Sequence, residues 1–151
     1  MGNKPALILL HHIDVAPAGA KYWDTPPLSG EIRNKYIYGR GAIDTKGLGI
    51  AHLSTFLALK NSGVKLSRDV IFMATTDEEA RGFYGAGWLV ENRTEIFERE
   101  GYLVNVVDPN MLLGDIPAFN IEVTQKAPLW LRLAATDIPG HGSEPRVTSS
   151  I

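Results

Sequence analysis

Histidines and acids able to do chemistry fall in short, separated stretches of this sequence. The first is His11-His12-Ile13-Asp14, which follows the apolar run of residues 6–10. His12 and Asp14 stand two apart, so in an extended segment both side chains project to one side. A carboxylate there can accept a hydrogen bond from the imidazole and fix its tautomer, the usual support of a metal-bound histidine. The same pair also suits a solvated histidine at a strand end with an acid starting a turn. Asp44, within Gly39-Arg40-Gly41-Ala42-Ile43-Asp44-Thr45-Lys46-Gly47, precedes a helical pattern. It can serve either as a helix N-cap or as a metal ligand. Thr75-Thr76-Asp77-Glu78-Glu79 closes a second apolar run. Adjacent acids are ordinarily just solvated. Beside a dication, one can ligate while the other takes a proton from water whose pKa the metal lowers to about 7. Gly140-His141-Gly142-Ser143-Glu144-Pro145 exposes one imidazole on a small-residue loop that is by itself only a turn.

The elements that must position these groups can be read from apolar patterning. Residues 6–10, 69–75 and 102–107 are short apolar runs that read as buried strands, the first of them parallel. Residues 45–61 give the clearest helix, with Leu48, Ala51, Phe56 and Leu59 on one face, widened by Leu53 and Leu57, and Ser62-Gly63 as a stop. Within it His52 reads as a structural residue. Residues 84–91 and 94–100 read as further helices, and residues 31–38 as a tight hairpin around Asn34-Lys35. Alternating strands and helices imply an α/β fold: an open, mostly parallel sheet with helices on both faces. Such sheets bind ligands outside the carboxyl ends of their strands, which is where both acid-rich clusters fall. Residues 119–124 and 129–135 look like two more strands, so a domain boundary is expected near residue 124. This divides the chain into residues 1–124 and residues 125–151.

Bulk composition narrows the function. A hydrophobic fraction of 44% and a charged fraction of 21% are ordinary for a globular chain. A formal charge of -2 leaves no electrostatic footprint for nucleic acid or an anionic membrane. No cysteine is present, so any metal must sit on His, Asp and Glu. No apolar run approaches the roughly 20 residues of a membrane span, and the N-terminal residues lack the apolar core of a signal peptide, so a cytoplasmic location is expected. A nucleotide-binding domain is disfavoured, since neither Gly-x-Gly-x-x-Gly nor a phosphate loop occurs.

In their order and spacing the motifs resemble the dinuclear zinc peptidase family of aminoacylase, acetylornithine deacetylase, succinyl-diaminopimelate desuccinylase and glutamate carboxypeptidase. The matching stretches are His12-Ile13-Asp14-Val15 with Pro17, residues 23–30, and Tyr38 followed by the Gly39 to Gly47 block. Thr76-Asp77-Glu78-Glu79 and Gly140 to Pro145 complete them. Gln125-Lys126-Ala127-Pro128-Leu129-Trp130-Leu131 is similar to the long carboxypeptidase-like branch. The resemblance implies two zinc ions, with cobalt or manganese as alternatives. His12 would bind one metal, Asp44 would bridge both and Glu79 would bind the other. Glu78 would be the general acid/base, Asp14 would orient His12, and His141 would stabilise the oxyanion, reaching the site of a homodimer partner. The resemblance further implies that residues 1–124 are a partial catalytic domain and residues 125–151 the truncated start of an α+β lid or dimerisation domain, which would carry His141. The peptide bond after Asp44 is expected to be cis. The implied reaction is attack of metal-bound hydroxide on an amide or peptide bond next to a free carboxylate, in an N-acyl amino acid or dipeptide-like substrate.

The chain also departs from the family pattern. Only residues 1–5 precede the first matched strand, and the distal metal-binding histidine expected beyond the lid is not reached by residue 151. Val106 stands where a ligating glutamate is expected, with Asp108 as a nearby substitute. Counting matched ligands alone, each metal is at least one short of the usual three. The expectation is therefore an incomplete chain with weak or no activity alone. The alternative is a non-catalytic relative acting as a binding or dimerisation module.

Overall fold

The computed structural model describes residues 2–106, 111–118 and 131–134. In chain order the regular elements are β1 (Lys4–His12), β2 (Glu31–Arg33), β3 (Tyr36–Tyr38), α1 (Leu48–Ser62), β4 (Arg68–Thr75), α2 (Trp88–Asn92), β5 (Glu100–Val104), β6 (Met111–Leu113) and β7 (Ile116–Ala118). The first apolar run became the central strand of a three-stranded parallel sheet ordered β4-β1-β5. A strand paired on both sides and covered on both faces reads as a continuous hydrophobic run. Ile8 is fully buried, and Ala6, Leu9 and Met73 complete the buried apolar core among the described residues.

Parallel pairing sets the site. The register puts Leu9 beside Phe72, His11 beside Ala74 and His12 beside Thr75. The carboxyl ends of β1 and β4, each followed by polar residues, therefore lie side by side. The crossover between them carries α1, which packs on both strands. On the opposite face, Leu89 of α2 and Ile96 line a cavity of about 490 Å³ with Ala6, Ile71 and Met73.

Several expected elements shift for local reasons. The hairpin β2–β3 forms as expected, with Arg33 opposite Tyr36 and positive φ at Asn34 and Lys35, 52° and 68°. Left-handed residues at both turn positions match the twist of a two-residue hairpin. The long helix begins at Leu48 rather than residue 45, because Asp44 (φ -108°, ψ 97°) and Thr45 (φ -131°, ψ 26°) are not helical. It ends at Gly63, whose φ of 69° is the left-handed cap that the Ser-Gly signal implied. Its inward stripe is Gly49, His52, Leu53, Phe56 and Leu59, while Ala51 and Leu57 are exposed. The helix is thus rotated to bring a glycine and a histidine against the sheet.

The region expected to hold two helices, 84–91 and 94–100, is more broken. It contains a kinked turn Phe83–Gly87, the short α2, and a 3-10 turn Thr94–Ile96, and β5 already begins at Glu100. The break falls at Gly85, whose backbone is not helical (φ -103°, ψ -105°) and where the carbonyl oxygen of Thr76 leaves no room for a Cβ. β5 ends at Val104 rather than residue 107, and Asn105 and Val106 continue without strand pairing. The hairpin β6–β7 had no counterpart in the sequence reading. The expected strand 119–124 and the boundary near 124 lie outside the described residues. Of the expected strand 129–135, residues 131–134 are described and have no regular structure; Leu131 and Leu133 are exposed and cover no apolar layer. No helix among the described residues is long and apolar enough to cross a membrane.

Candidate metal and proton-transfer site

Residues from three separate loops meet at the carboxyl ends of β1 and β4. His12 is the last residue of β1 and only 3% exposed. Its Nδ1–H donates to the carbonyl oxygen of Asp14 at 3.0 Å. Its Nε2–H points to Asp44 Oδ1 at 2.9 Å, and Glu78 Oε2 lies 3.9 Å from the same nitrogen. The side chains of Asp44 and Glu78 are 63% and 58% exposed, so the buried imidazole faces a mouth open to ligands.

Electrostatics follow from this arrangement. Burial works against a charge on His12. The Asp14 carbonyl, the Asp44 carboxylate and the negative charge of Glu78 outweigh it and raise the pKa above the ordinary histidine value. Both ring nitrogens face oxygen acceptors, the Asp14 carbonyl and the Asp44 carboxylate. Asp14 is pulled the other way. Burial raises its pKa, but the backbone N–H groups of Glu79, Glu78 and Asp14 itself, with the nearby His12, bring it below the usual carboxylate range.

The turn that carries Asp44 is pinned to the end of β1. Thr45, fully buried, donates its hydroxyl to the His12 carbonyl at 3.3 Å, and Lys46 Nζ donates to the Ile13 carbonyl at 3.1 Å. The Asp44–Thr45 peptide is cis, as the resemblance implied. Gly41 enters this turn with φ of 83°, and a Cβ on it would meet Val15 Cγ1 at 2.4 Å. The glycine is required both by conformation and by close approach.

Glu78 and Glu79 open a 3-10 turn, Glu78–Ala80, that Asp77 introduces with a left-handed φ of 68°. Asp77 Oδ2 accepts the Tyr84 N–H at 3.0 Å and closes the loop. The two loops are clasped reciprocally: Glu79 N–H donates to Asp14 Oδ2 at 3.0 Å, and Ala16 N–H donates to Glu79 Oε1 at 2.9 Å.

Placed against the sequence reading, His12, Asp14, Asp44 and Glu78 come together. Glu79 joins them through its backbone and one carboxylate oxygen on Ala16. Asp14 departs from its expected contact. Its carbonyl takes the imidazole proton, while its carboxylate Oδ1 lies 3.4 Å from Nδ1 and Oδ2 holds the second acid loop. Asp108 and His141 lie outside the described residues. Val106 is half-buried beyond the end of β5. Thr45 was missed by the sequence reading, although a β-branched residue directly after a candidate ligand was a usable signal. The contact of Ala16, a backbone one, had none.

The donor set is imidazole nitrogen with carboxylate oxygens, which suits a zinc-like divalent cation. His12 Nε2 and Asp44 Oδ1, now bridged by a proton at 2.9 Å, face each other as two donors to one ion would. Among the described residues, no three His, Asp or Glu are gathered closely enough to hold a metal by themselves. These residues therefore fit as part of a metal site.

A sequence profile described as Peptidase family M20/M25/M40 matches residues 8–145. The chain is 36% identical to the N-fatty-acyl-amino acid synthase/hydrolase PM20D1 of Xenopus tropicalis, covering 95% of this chain and 29% of that protein. It is 34% identical to aminoacylase-1 of Sus scrofa, covering 94% of this chain and 35% of the relative. Among solved structures, human carnosine dipeptidase 1 superposes with a TM-score of 0.54 at 29% identity, over 68% of this chain and 22% of that one. The chain thus spans about a third of the length of the curated relatives it matches.

Proposed function

The chain belongs to peptidase family M20/M25/M40, and from that premise we propose that it contributes catalytic residues to a metal-dependent hydrolase of amide or peptide bonds next to a free carboxylate. The observation that carries the proposal is the buried His12, held by the Asp14 carbonyl and facing the open carboxylates of Asp44 and Glu78. The relatives named aminoacylase and N-fatty-acyl-amino acid synthase/hydrolase support N-acyl amino acids as the substrate class, and the dipeptidase structure supports dipeptides.

His12 and Asp44 would hold one divalent cation, and Asp44 with Glu79 a second, with zinc the expected metal. Bound there, such ions would supply Lewis acidity toward the scissile carbonyl and acidify water. The chain's own residues do the rest. Glu78 accepts the proton of the attacking water at Oε2 and returns it to the leaving amine nitrogen. Asp14 fixes the imidazole with its carbonyl and the Glu78–Glu79 turn with its carboxylate. His141, outside the described residues, would donate to the developing oxyanion. Metal loading must displace the proton between His12 and Asp44, so affinity should fall as pH is lowered.

Cobalt titration of the chain tests the ligand assignment. His12→Ala and Asp44→Asn should each weaken binding strongly. Hydrolysis of N-acyl amino acids or dipeptides by the metal-loaded protein should drop by about 10²–10⁴ in Glu78→Gln while cobalt affinity stays within a few-fold. Turnover untouched by Glu78→Gln would overturn the assigned role. Val106 favours a second reading, since a valine where the resemblance implies a ligating glutamate suits a non-catalytic binding module. That reading predicts no turnover that depends on Glu78, so that even weak turnover abolished by Glu78→Gln favours the hydrolase.

A further inference from the structure

The residue beside His12 in β1 points to the other face of the sheet and touches the start of α1. His11 is 5% exposed and packs against Phe72 with the rings tilted by 43° and their centroids 5.1 Å apart. It meets His52 edge-on at 6.2 Å. In α1, Gly49 lies directly against it: a Cβ there would fall 2.5 Å from His11 Cδ2 and 2.7 Å from Nε2. Gly49 has an ordinary helical backbone, so the absence of a side chain is required here by space and not by conformation. The helix carries a notch into which the imidazole fits.

The position of this notch matters for the site. Gly49 is in the first turn of α1, which follows directly from the turn that carries Asp44. His11 is one peptide from His12. The His11–Gly49 contact therefore spans the same two segments, β1 and the Asp44–α1 connection, that the His12–Asp44 hydrogen bond of 2.9 Å spans. One contact lies on each side of the sheet end. Close-packed interiors transmit displacements of a methyl group to their neighbours. We infer that His11 is a positioning residue: seated in the Gly49 notch, it sets how far α1, and with it Asp44, stands from His12. The role is one of shape, with no ligand or proton assigned to His11. This inference rests on the reading of His12 and Asp44 as a metal-binding pair.

A double-mutant cycle in the 151-residue chain tests it, with cobalt alone as the probe. Gly49→Ala places a methyl against the ring and should weaken cobalt binding by about tenfold or more, the range typical when support of a metal ligand is lost. His11→Ala should weaken it less. The double variant His11→Ala/Gly49→Ala should bind better than Gly49→Ala alone, because the new methyl then has room. A crystal structure of Gly49→Ala should show His12 Nε2 and Asp44 Oδ1 separated beyond hydrogen-bond reach. Thermal melting separates this from loss of fold: where Gly49→Ala does not fold, the double variant should match His11→Ala in cobalt affinity, and a double variant that binds markedly more weakly than His11→Ala overturns the inference. A folded Gly49→Ala protein with unchanged cobalt affinity and an intact His12–Asp44 distance also overturns it. Failure of the wild type to bind cobalt would sink the metal reading, and the Gly49→Ala structure would still decide whether the notch sets the distance.

Discussion

Two adjacent histidines at the end of β1 occupy opposite environments. His12 faces the crevice, where a carbonyl and two carboxylates raise its pKa. His11 faces α1, where burial, then the neighbouring His52 and His12, lower its pKa, and burial lowers that of His52 as well. Among the described residues, the buried Nδ1 atoms of His11 and His52 have no hydrogen-bond partner. One side of the strand thus favours a cation and the other rejects one, although both histidines are almost fully buried. The difference teaches that burial alone does not assign a histidine to function. The groups placed opposite the ring decide it.

The strongest way to break the comparison is on the crevice side. Asp44→Asn should reduce cobalt affinity by two orders of magnitude or so and bring the His12 pKa back toward its ordinary value, with a smaller change at His11, which senses His12 only as its least contributor. Calorimetry and histidine NMR would measure both. On the other side, Phe72→Ala removes the ring against which His11 and Phe56 pack, at 5.1 and 6.1 Å. Because Phe72 is only half-buried, the expected loss is about 2–3 kcal/mol, at or below the low end for an aromatic truncation, read as a lower urea midpoint.

These two outcomes bear on what the sequence made legible. The apolar run before His12, the strand before Glu78 and the Asn34-Lys35 turn were readable because each is a local pattern. Strand ends then placed the acids correctly, since parallel pairing aligns the carboxyl ends of β1 and β4. What escaped were contacts between residues far apart in sequence. The Asp14 carboxylate on the Glu79 N–H, Ala16 on Glu79, and His11 in the Gly49 notch are set by how loops and helix dock. Helical periodicity mispointed α1 for the same reason: it weighs side-chain polarity and so put Ala51 inward, while packing chose the space left by Gly49 and turned His52 in. The broken stretch around α2 turned on Gly85, whose close approach to Thr76 no local pattern announces.

Acid titration sharpens the comparison further. For His11 and His52 the folded-state pKa lies below the unfolded value of about 6.5, so the unfolded chain binds more protons in that interval. Their effect is absent above about 6.5 and costs stability as pH falls toward the lowered values. His12 runs oppositely, with its contribution complete below about 6.5 and lost as pH rises through its raised pKa. His52→Gln should therefore flatten the loss of stability between neutral and mildly acidic pH, measured as urea midpoints at several pH values. The smallest effect is expected far from either histidine. Arg93 and Glu95 form an ion pair on the open surface, and Arg93→Ala should leave the melting temperature unchanged within error.

The central claim is that the crevice histidine, and not its neighbour, belongs to a cation site. Anomalous scattering at the zinc edge from crystals of the chain grown with zinc tests it most directly. The account predicts a peak about 2.0–2.2 Å from both His12 Nε2 and an Asp44 carboxylate oxygen, with none beside His11 or His52. A peak on the His11–His52 pair, or zinc bound elsewhere with His12 and Asp44 still joined by their proton, would contradict it.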